Sequence, residues 1–217
     1  VRDGKDLVLN IDRSVQFIVE TFLKNNLEKY GAKSASAVVM EPKTGAILAM
    51  ASFPNYDPAG YASFPKEYYK NPVVADQYEP GSTFKVLVMA AAINESLVDS
   101  DTICDICSGP LSLGGFNIRT WNNKYYPKSQ MTDVIKHSDN IGMGFVGRKL
   151  GVEKFINSME NYGFDNTTNI DLQDEFSPKL RSKETFSEID LATASFGQGI
   201  AITPIQMVRA ISVIANG

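Results

Sequence analysis

Hydrophobic spacing along the first fifty residues changes from helical to strand-like in a short distance. Residues 7–11, Leu-Val-Leu-Asn-Ile, read as a short strand. Asp12 then stands where a helix N-cap belongs. Val15, Ile18, Val19, Phe22, Leu23 and Leu27 fall on one face of the helix that follows, and Gly31 ends it. Residues 35–40 and 46–52 read as two strands joined by Glu41-Pro42-Lys43-Thr44-Gly45. Proline early in that loop and glycine at its end predict a hairpin with a type I turn and a bulge.

Regular spacing then lapses across a segment carrying Pro54, Pro58, Pro65 and Pro72. A helix, a hairpin and a long irregular stretch describe an α+β domain. Beyond the apolar run 86–93, residues 97–131 are rich in glycine, asparagine and tyrosine, which predicts short strands and loops. Thr132 is placed to cap a helix carrying Val134 and Ile135. His137-Ser138-Asp139-Asn140 leads into a second helix through Leu150, and residues 151–162 continue with Val152, Phe155, Ile156 and Met159 on one side. Residues 165–187 read as a polar surface excursion. Gly197-Gln198-Gly199 precedes Thr203-Pro204-Ile205-Gln206, a capping box with proline at the first helical position. Ile205, Val208, Ile211 and Val213 make the last helix apolar enough for a core, and Asn216-Gly217 is a helix-ending pair.

A length of 217 residues fits one domain, and a net charge of −4 argues against a nucleic-acid surface. The run 86–93 is too short to span a membrane. The polar start Val-Arg-Asp-Gly-Lys-Asp is no signal peptide, so an export signal or anchor is expected outside these residues. Cys104-Asp105-Ile106-Cys107 reads as two small buried thiols, or as one local disulfide in an exported protein. His137 is the one histidine, and it reads as a polar residue at a helix end.

The stretch with chemistry in it is Glu79-Pro80-Gly81-Ser82-Thr83-Phe84-Lys85. Pro80 and Gly81 make a turn, and a helix starts behind them, so Lys85 lies one turn beyond Ser82 on the same side. A serine hydroxyl needs a base to become a nucleophile. A lysine amine can be that base if burial brings its pKa down from about 10.4. The helix start also offers free N–H groups to an oxyanion. Alone, Ser-x-x-Lys is a weak signal, because a serine N-cap followed by a solvated lysine has the same spelling.

Ser82-Thr83-Phe84-Lys85 does not stand alone. With Ser138-Asp139-Asn140 it supplies, in the expected order and separation, two of the three motifs of penicillin-binding proteins and serine β-lactamases. Tyr78-Glu79-Pro80-Gly81, Gly197-Gln198-Gly199, Thr203-Pro204-Ile205-Gln206, Leu9-Asn10-Ile11-Asp12 and Glu41-Pro42-Lys43-Thr44-Gly45-Ala46 sharpen the match. The pattern resembles the transpeptidase domain of class B, monofunctional penicillin-binding proteins over nearly the whole chain. That resemblance implies the penicillin-binding protein/serine β-lactamase fold, an antiparallel sheet with a helical subdomain. It implies Ser82 as nucleophile, Lys85 as base, Ser138 as proton relay and Asn140 as a substrate-amide partner, with no direct role for Asp139. It implies no metal or cofactor.

The implied partners are the D-Ala-D-Ala stem peptide of peptidoglycan, β-lactams and the glycan-polymerising machinery. The implied location is the outer face of the cytoplasmic membrane, through an anchor outside this chain. The third motif of the family, Lys-Thr/Ser-Gly, belongs on a strand after the second. Lys43-Thr44-Gly45 comes too early and sits in a turn, and nothing after Asn140 supplies the triplet. Residues 1–217 are therefore expected to be the N-terminal part of the domain, crippled or in need of the remaining segment. A β-lactamase, a β-lactam receptor and a degenerate scaffold are the competing readings; Glu175 lies in about the right place for a deacylating glutamate, but Asp174, Phe176, Ser177 and Pro178 around it do not reproduce the expected loop.

Overall fold

A computed structural model describes residues 4–216. In chain order its main elements are α1 (Arg13–Tyr30), β1 (Ala35–Met40), β2 (Ile47–Phe53), α2 (Pro72–Ala75), α3 (Lys85–Asn94), β3 (Leu111–Leu113) and β4 (Phe116–Ile118). They continue with α4 (Met131–Lys136), α5 (Asn140–Asn161), α6 (Glu188–Ala194) and α7 (Pro204–Asn216). The chain forms two compact units. One comprises Val1–Asp76, Asn169–Phe176 and Thr203–Gly217, the other Gln77–Thr168 and Ser177–Ile202.

In the first unit α1 begins where Asp12 accepts hydrogen bonds from the N–H groups of Ser14 and Val15, and it ends at Gly31 in the left-handed region. The antiparallel β1–β2 hairpin shows its register shift at Val39/Met40, and Gly45 takes φ 75° at the end of the turn. α1 lies along β2. The Gln16 carboxamide donates to the Met50 carbonyl (2.9 Å) and accepts from the Met50 N–H (2.8 Å). One side chain thus stands in for a neighbouring strand along part of the β2 edge.

Two expectations change here. The buried stripe of α1 is narrower than its apolar face: Val15, Val19, Leu23 and Leu27 are half-buried, while Ile18 and Phe22 are exposed. A two-stranded sheet is too narrow to cover more. Residues 7–11 form no strand, because their backbone finds no ladder partner among the described residues; Asp12 N–H bonding to the Leu48 carbonyl is where the segment ties down. Val73, Val74 and Ala75 of α2 make the core with Ile205 of α7. The Thr203–Gln206 capping box forms as read, with Thr203 N–H on Gln206 Oε1 and Gln206 N–H on Thr203 Oγ1. The Asn216-Gly217 ending reaches outside the described residues.

The second unit is built on α3, whose Leu87, Val88, Ala91 and Ala92 are buried, crossing α5. The Tyr162 hydroxyl pins the far end of α5 to the Leu87 carbonyl at 3.0 Å. α5 is two helical stretches meeting at Gly151, where φ is 73° and ψ 161°. Cys104 and Cys107 are joined as a buried disulfide. His137 closes α4 and stacks on Tyr126 with ring centroids 4.2 Å apart. The cap of α4 is Gln130, not Thr132: an antiparallel bridge between Ile103 and Gln130 holds that residue extended, so the helix starts at Met131.

α4 and α5 approach so closely that a Cβ on Gly142 would lie 2.4 Å from Val134 Cγ2. This contact fixes the turn between the helices. Gly142→Ala is expected to destabilise the fold by roughly 1–3 kcal/mol. Adding Val134→Ala should return part of that loss, as measured by denaturant unfolding of the two variants. Equal stability of Gly142→Ala and the parent would refute this account of the turn.

Candidate active site

Residues 77–81 run beside residues 197–202. Tyr78 and Ile202 exchange backbone hydrogen bonds of 2.9 and 3.1 Å, and Gln77 Nε2 donates to the Ala201 carbonyl at 3.1 Å. The Gly199 N–H donates to Glu79 Oε1 at 2.8 Å, and the Gly81 N–H to the Gly197 carbonyl at 3.0 Å. A Cβ at Gly197 would fall 2.1 Å from the Gly81 carbonyl oxygen, and Gly197 itself has φ 80°. The approach is open only to glycine. Held in this way, Gly81–Phe84 forms a 3₁₀ turn that passes into α3 at Lys85. The i,i+3 eclipse of such a turn stacks Ser82 and Lys85 on one side.

Their environments are opposite. Ser82 is exposed, and its Oγ makes no hydrogen bond among the described residues. Lys85 is 2% exposed. Its Nζ donates to the Ser138 carbonyl at 2.6 Å, to Ser138 Oγ at 2.9 Å and to Asn140 Oδ1 at 2.8 Å. An ammonium has three protons, and all three are placed. Burial drives the Lys85 pKa down from 10.5 to about 8, against an opposing pull from Asp139. Roughly one molecule in ten then carries a neutral amine at pH 7.

Ser138 and Asn140 meet the lysine because of the turn between α4 and α5. Ser138 has φ 53°, a left-handed value that costs a non-glycine residue of the order of 1 kcal/mol. Asp139 is the N-cap of α5, its Oδ1 accepting from the Ile141 N–H at 2.8 Å. The Asn140 amide is oriented from its other end, with Nδ2 donating to the Arg119 carbonyl at 3.0 Å. The turn therefore points a hydroxyl, a main-chain carbonyl and a carboxamide oxygen at one nitrogen. Three of the four site residues read from the sequence are joined by direct hydrogen bonds, and the fourth lies one turn away. Lys43-Thr44-Gly45 sits in the hairpin turn of the other unit, where Glu41 Oε2 accepts from Thr44 N–H and Oγ1. Glu175 accepts from the Asn169 N–H at 3.1 Å, within that same unit.

A family described as "Penicillin binding protein transpeptidase domain" matches residues 35–217. The chain belongs to that family. It is 39% identical over its full length to stage V sporulation protein D of Bacillus subtilis. It is 31% identical over 97% of its length to the peptidoglycan D,D-transpeptidase FtsI of Escherichia coli K12. It spans 34% and 35% of those relatives, about a third of their length. Among solved structures it is similar to the transpeptidase domain of Burkholderia pseudomallei penicillin-binding protein 3, with TM-score 0.84, 26% identity, and coverage of 96% of this chain and 58% of that one. It is also similar to penicillin-binding protein 3 of Mycobacterium tuberculosis complexed with aztreonam, with TM-score 0.88, 27% identity, and coverage of 95% and 46%. The fold is that of the penicillin-binding transpeptidase domains.

Within this transpeptidase-family chain, sequence reasoning found the four polar side chains and missed what aims them. Gly197 and Glu79 were visible as letters of a motif, but the packing of Gly197 against Gly81 is a contact across 116 residues, which no local pattern encodes. Gly197→Ala must push the Ser82 turn aside. We expect it to slow acylation of Ser82 by a labelled penicillin in the full-length protein by roughly 10²-fold, the penalty of about an ångström of misplacement. Glu79→Gln, which keeps an acceptor for the Gly199 N–H, should stay within a few-fold of the parent. Unchanged acylation in Gly197→Ala would show that residues 197–202 do not position the serine.

Proposed function

We propose that this chain is the nucleophile-bearing part of a class B peptidoglycan D,D-transpeptidase, working through an acyl-enzyme on Ser82 and acylated at the same atom by β-lactams. The observation that carries the reading is a lysine buried enough to lose its proton, one turn from an exposed serine and gripped by a second serine and an asparagine. The family and the names of its transpeptidase relatives support it.

The donor count around Lys85 shapes the mechanism. When the ammonium loses a proton it keeps two donors and gains a lone pair. The Ser138 carbonyl and Asn140 Oδ1 can only accept, so they retain the two donors. Ser138 Oγ is the partner that can reverse direction and donate to nitrogen. Neutral Lys85 is thus held by two fixed contacts while its third position exchanges protons. Ser82 Oγ attacks the carbonyl between the last two D-alanines, forming the C–O bond as its proton passes to Lys85. Ser138, already in contact with that nitrogen, delivers a proton to the departing amine as the C–N bond breaks. An amine from a neighbouring stem then attacks the ester carbonyl, loses its proton along the same path, and returns Ser82 to its hydroxyl form. Asn140 keeps its Nδ2 on the Arg119 carbonyl and its Oδ1 on Lys85, fixing the lysine's height in the site.

The parent enzyme is proposed to act on the outer face of the cytoplasmic membrane beside the glycan-polymerising machinery, carried by an anchor outside this chain. No helix among the described residues is long and apolar enough to cross a membrane. A Lys-Thr/Ser-Gly strand from outside residues 1–217 is proposed to complete the cleft. An oxyanion donor is worth roughly 10²–10³ in rate. The isolated 217-residue chain should therefore trap a fluorescent penicillin at least that much more slowly than the full-length protein. Equal rates would overturn this part.

In the full-length protein, mass spectrometry should place the penicilloyl group on Ser82, and Ser82→Ala should abolish it. The acylation rate should fall as pH drops through about 8, where burial has set the lysine. Below that pH the protonated amine cannot take the serine proton. A rate that is flat between pH 6 and pH 9 would rule out Lys85 as the base.

A further inference from the structure

The residue between Ser138 and Asn140 has no part in the chemistry above, yet it is 2% exposed and carries a carboxylate. Asp139 is fastened on three sides. Its N–H donates to the Val134 carbonyl at 2.9 Å, its carbonyl accepts from the Met143 N–H at 3.1 Å, and Oδ1 caps α5 through the Ile141 N–H at 2.8 Å. Its second oxygen, Oδ2, is buried with no hydrogen-bond partner among the described residues. A cap alone does not require this. Asparagine and serine cap a helix as well as aspartate does, without burying a charge. An unpartnered buried carboxylate oxygen is a cost that a capping role leaves unexplained.

The lysine supplies the explanation. Lys85 Nζ is bonded to both residues that flank Asp139, so the carboxylate is anchored in the middle of the segment that grips the ammonium. The other neighbours of Lys85 are neutral where they face it. Ser82 and Phe84 come from the 3₁₀ turn, Ser138 and Asn140 from the loop and α5, and Arg119 reaches the cluster through its backbone carbonyl. Asp133, Lys136 and His137 on α4 do not shift the lysine; Asp139 is the charge that does, raising its pKa against the larger effect of burial.

We infer that Asp139 is a positioning residue of the acylation step, whose buried carboxylate fixes the Ser138–Asn140 backbone around Lys85 and supplies the negative charge that balances the lysine. This rests on the proposed role of Lys85 as the base for Ser82. Without the carboxylate, the buried amine would hold its proton less well and be a weaker base. With it, the lysine titrates close to neutrality and keeps enough basicity to take the serine proton.

The test is the pH profile of penicillin acylation in the full-length protein carrying Asp139→Asn. Asparagine preserves the cap, so the melting temperature should stay within a few degrees of the parent. The acidic limb should move to lower pH by about one unit, because an attractive charge has been removed from the ammonium. Asp139→Ser repeats the neutralisation with a second good cap, and its limb should move the same way. A limb that stays in place in the variant that folds overturns the inference and leaves Asp139 a cap. If the parent itself traps no penicillin at Ser82, it is the proposed function that fails.

Discussion

The second unit of this protein depends on one buried ammonium. Lys85 is charged at the first position of a helix packed into the core, and it holds three acceptors contributed by two residues, 53 and 55 positions along the chain. An unpaired charge in that place would cost several kcal/mol. The α4–α5 turn therefore has to bring its polar atoms to the lysine, and much of the local architecture follows. Ser138 accepts a left-handed backbone so that its hydroxyl and its carbonyl can face the same nitrogen. Gly142 lacks a side chain so that α5 can start close enough to α4 to make the turn tight.

The serine is positioned by a different device. Nothing among the described residues hydrogen-bonds its hydroxyl; the backbone beneath it is what is held. Five hydrogen bonds join residues 197–202 to residues 77–81, and Gly197 lies against Gly81 at a distance that only a missing side chain permits. Main-chain clamping fixes the position of the serine while leaving its hydroxyl exposed. Lys85 is treated in the opposite way, buried and fully bonded, and that burial lowers its proton affinity. The two halves of the pair are thus stabilised by unlike forces across one 3₁₀ turn.

How legible this was in the sequence depends on the range of the interaction. Caps and turns are local, and Asp12, Gly31, Gly45 and the Thr203–Gln206 box form as their letters suggest. The α1 stripe was legible in period and overestimated in width, since a helical wheel does not know how wide a sheet the helix will meet. Residues 7–11 have the composition of a strand, but a strand needs a partner edge, and composition cannot supply one. Thr132 has the chemistry of a cap and lost the place to Gln130 because a bridge to Ile103 decided where the backbone turns. The resemblance implies no direct role for Asp139. Its burial and its place between the two residues that hold a lysine 54 positions away are long-range facts that no local pattern carries.

Two lysine-bearing motifs in this chain show why geometry has to arbitrate. Lys43-Thr44-Gly45 has the letters of a catalytic motif, and its threonine hydroxyl is already spent on Glu41 Oε2 inside a solvent-facing hairpin turn. Lys43, Thr44 and Gly45 are all exposed, and no buried amine stands beside the hydroxyl. Ser82-Thr83-Phe84-Lys85 is no rarer as a string. Its difference lies in Phe84 and Lys85, which are both buried, so that the helix carries its first charged residue directly into the core. Desolvation of one ammonium separates this turn from the exposed one at Lys43, and the three acceptors on the α4–α5 turn offset the cost of that desolvation.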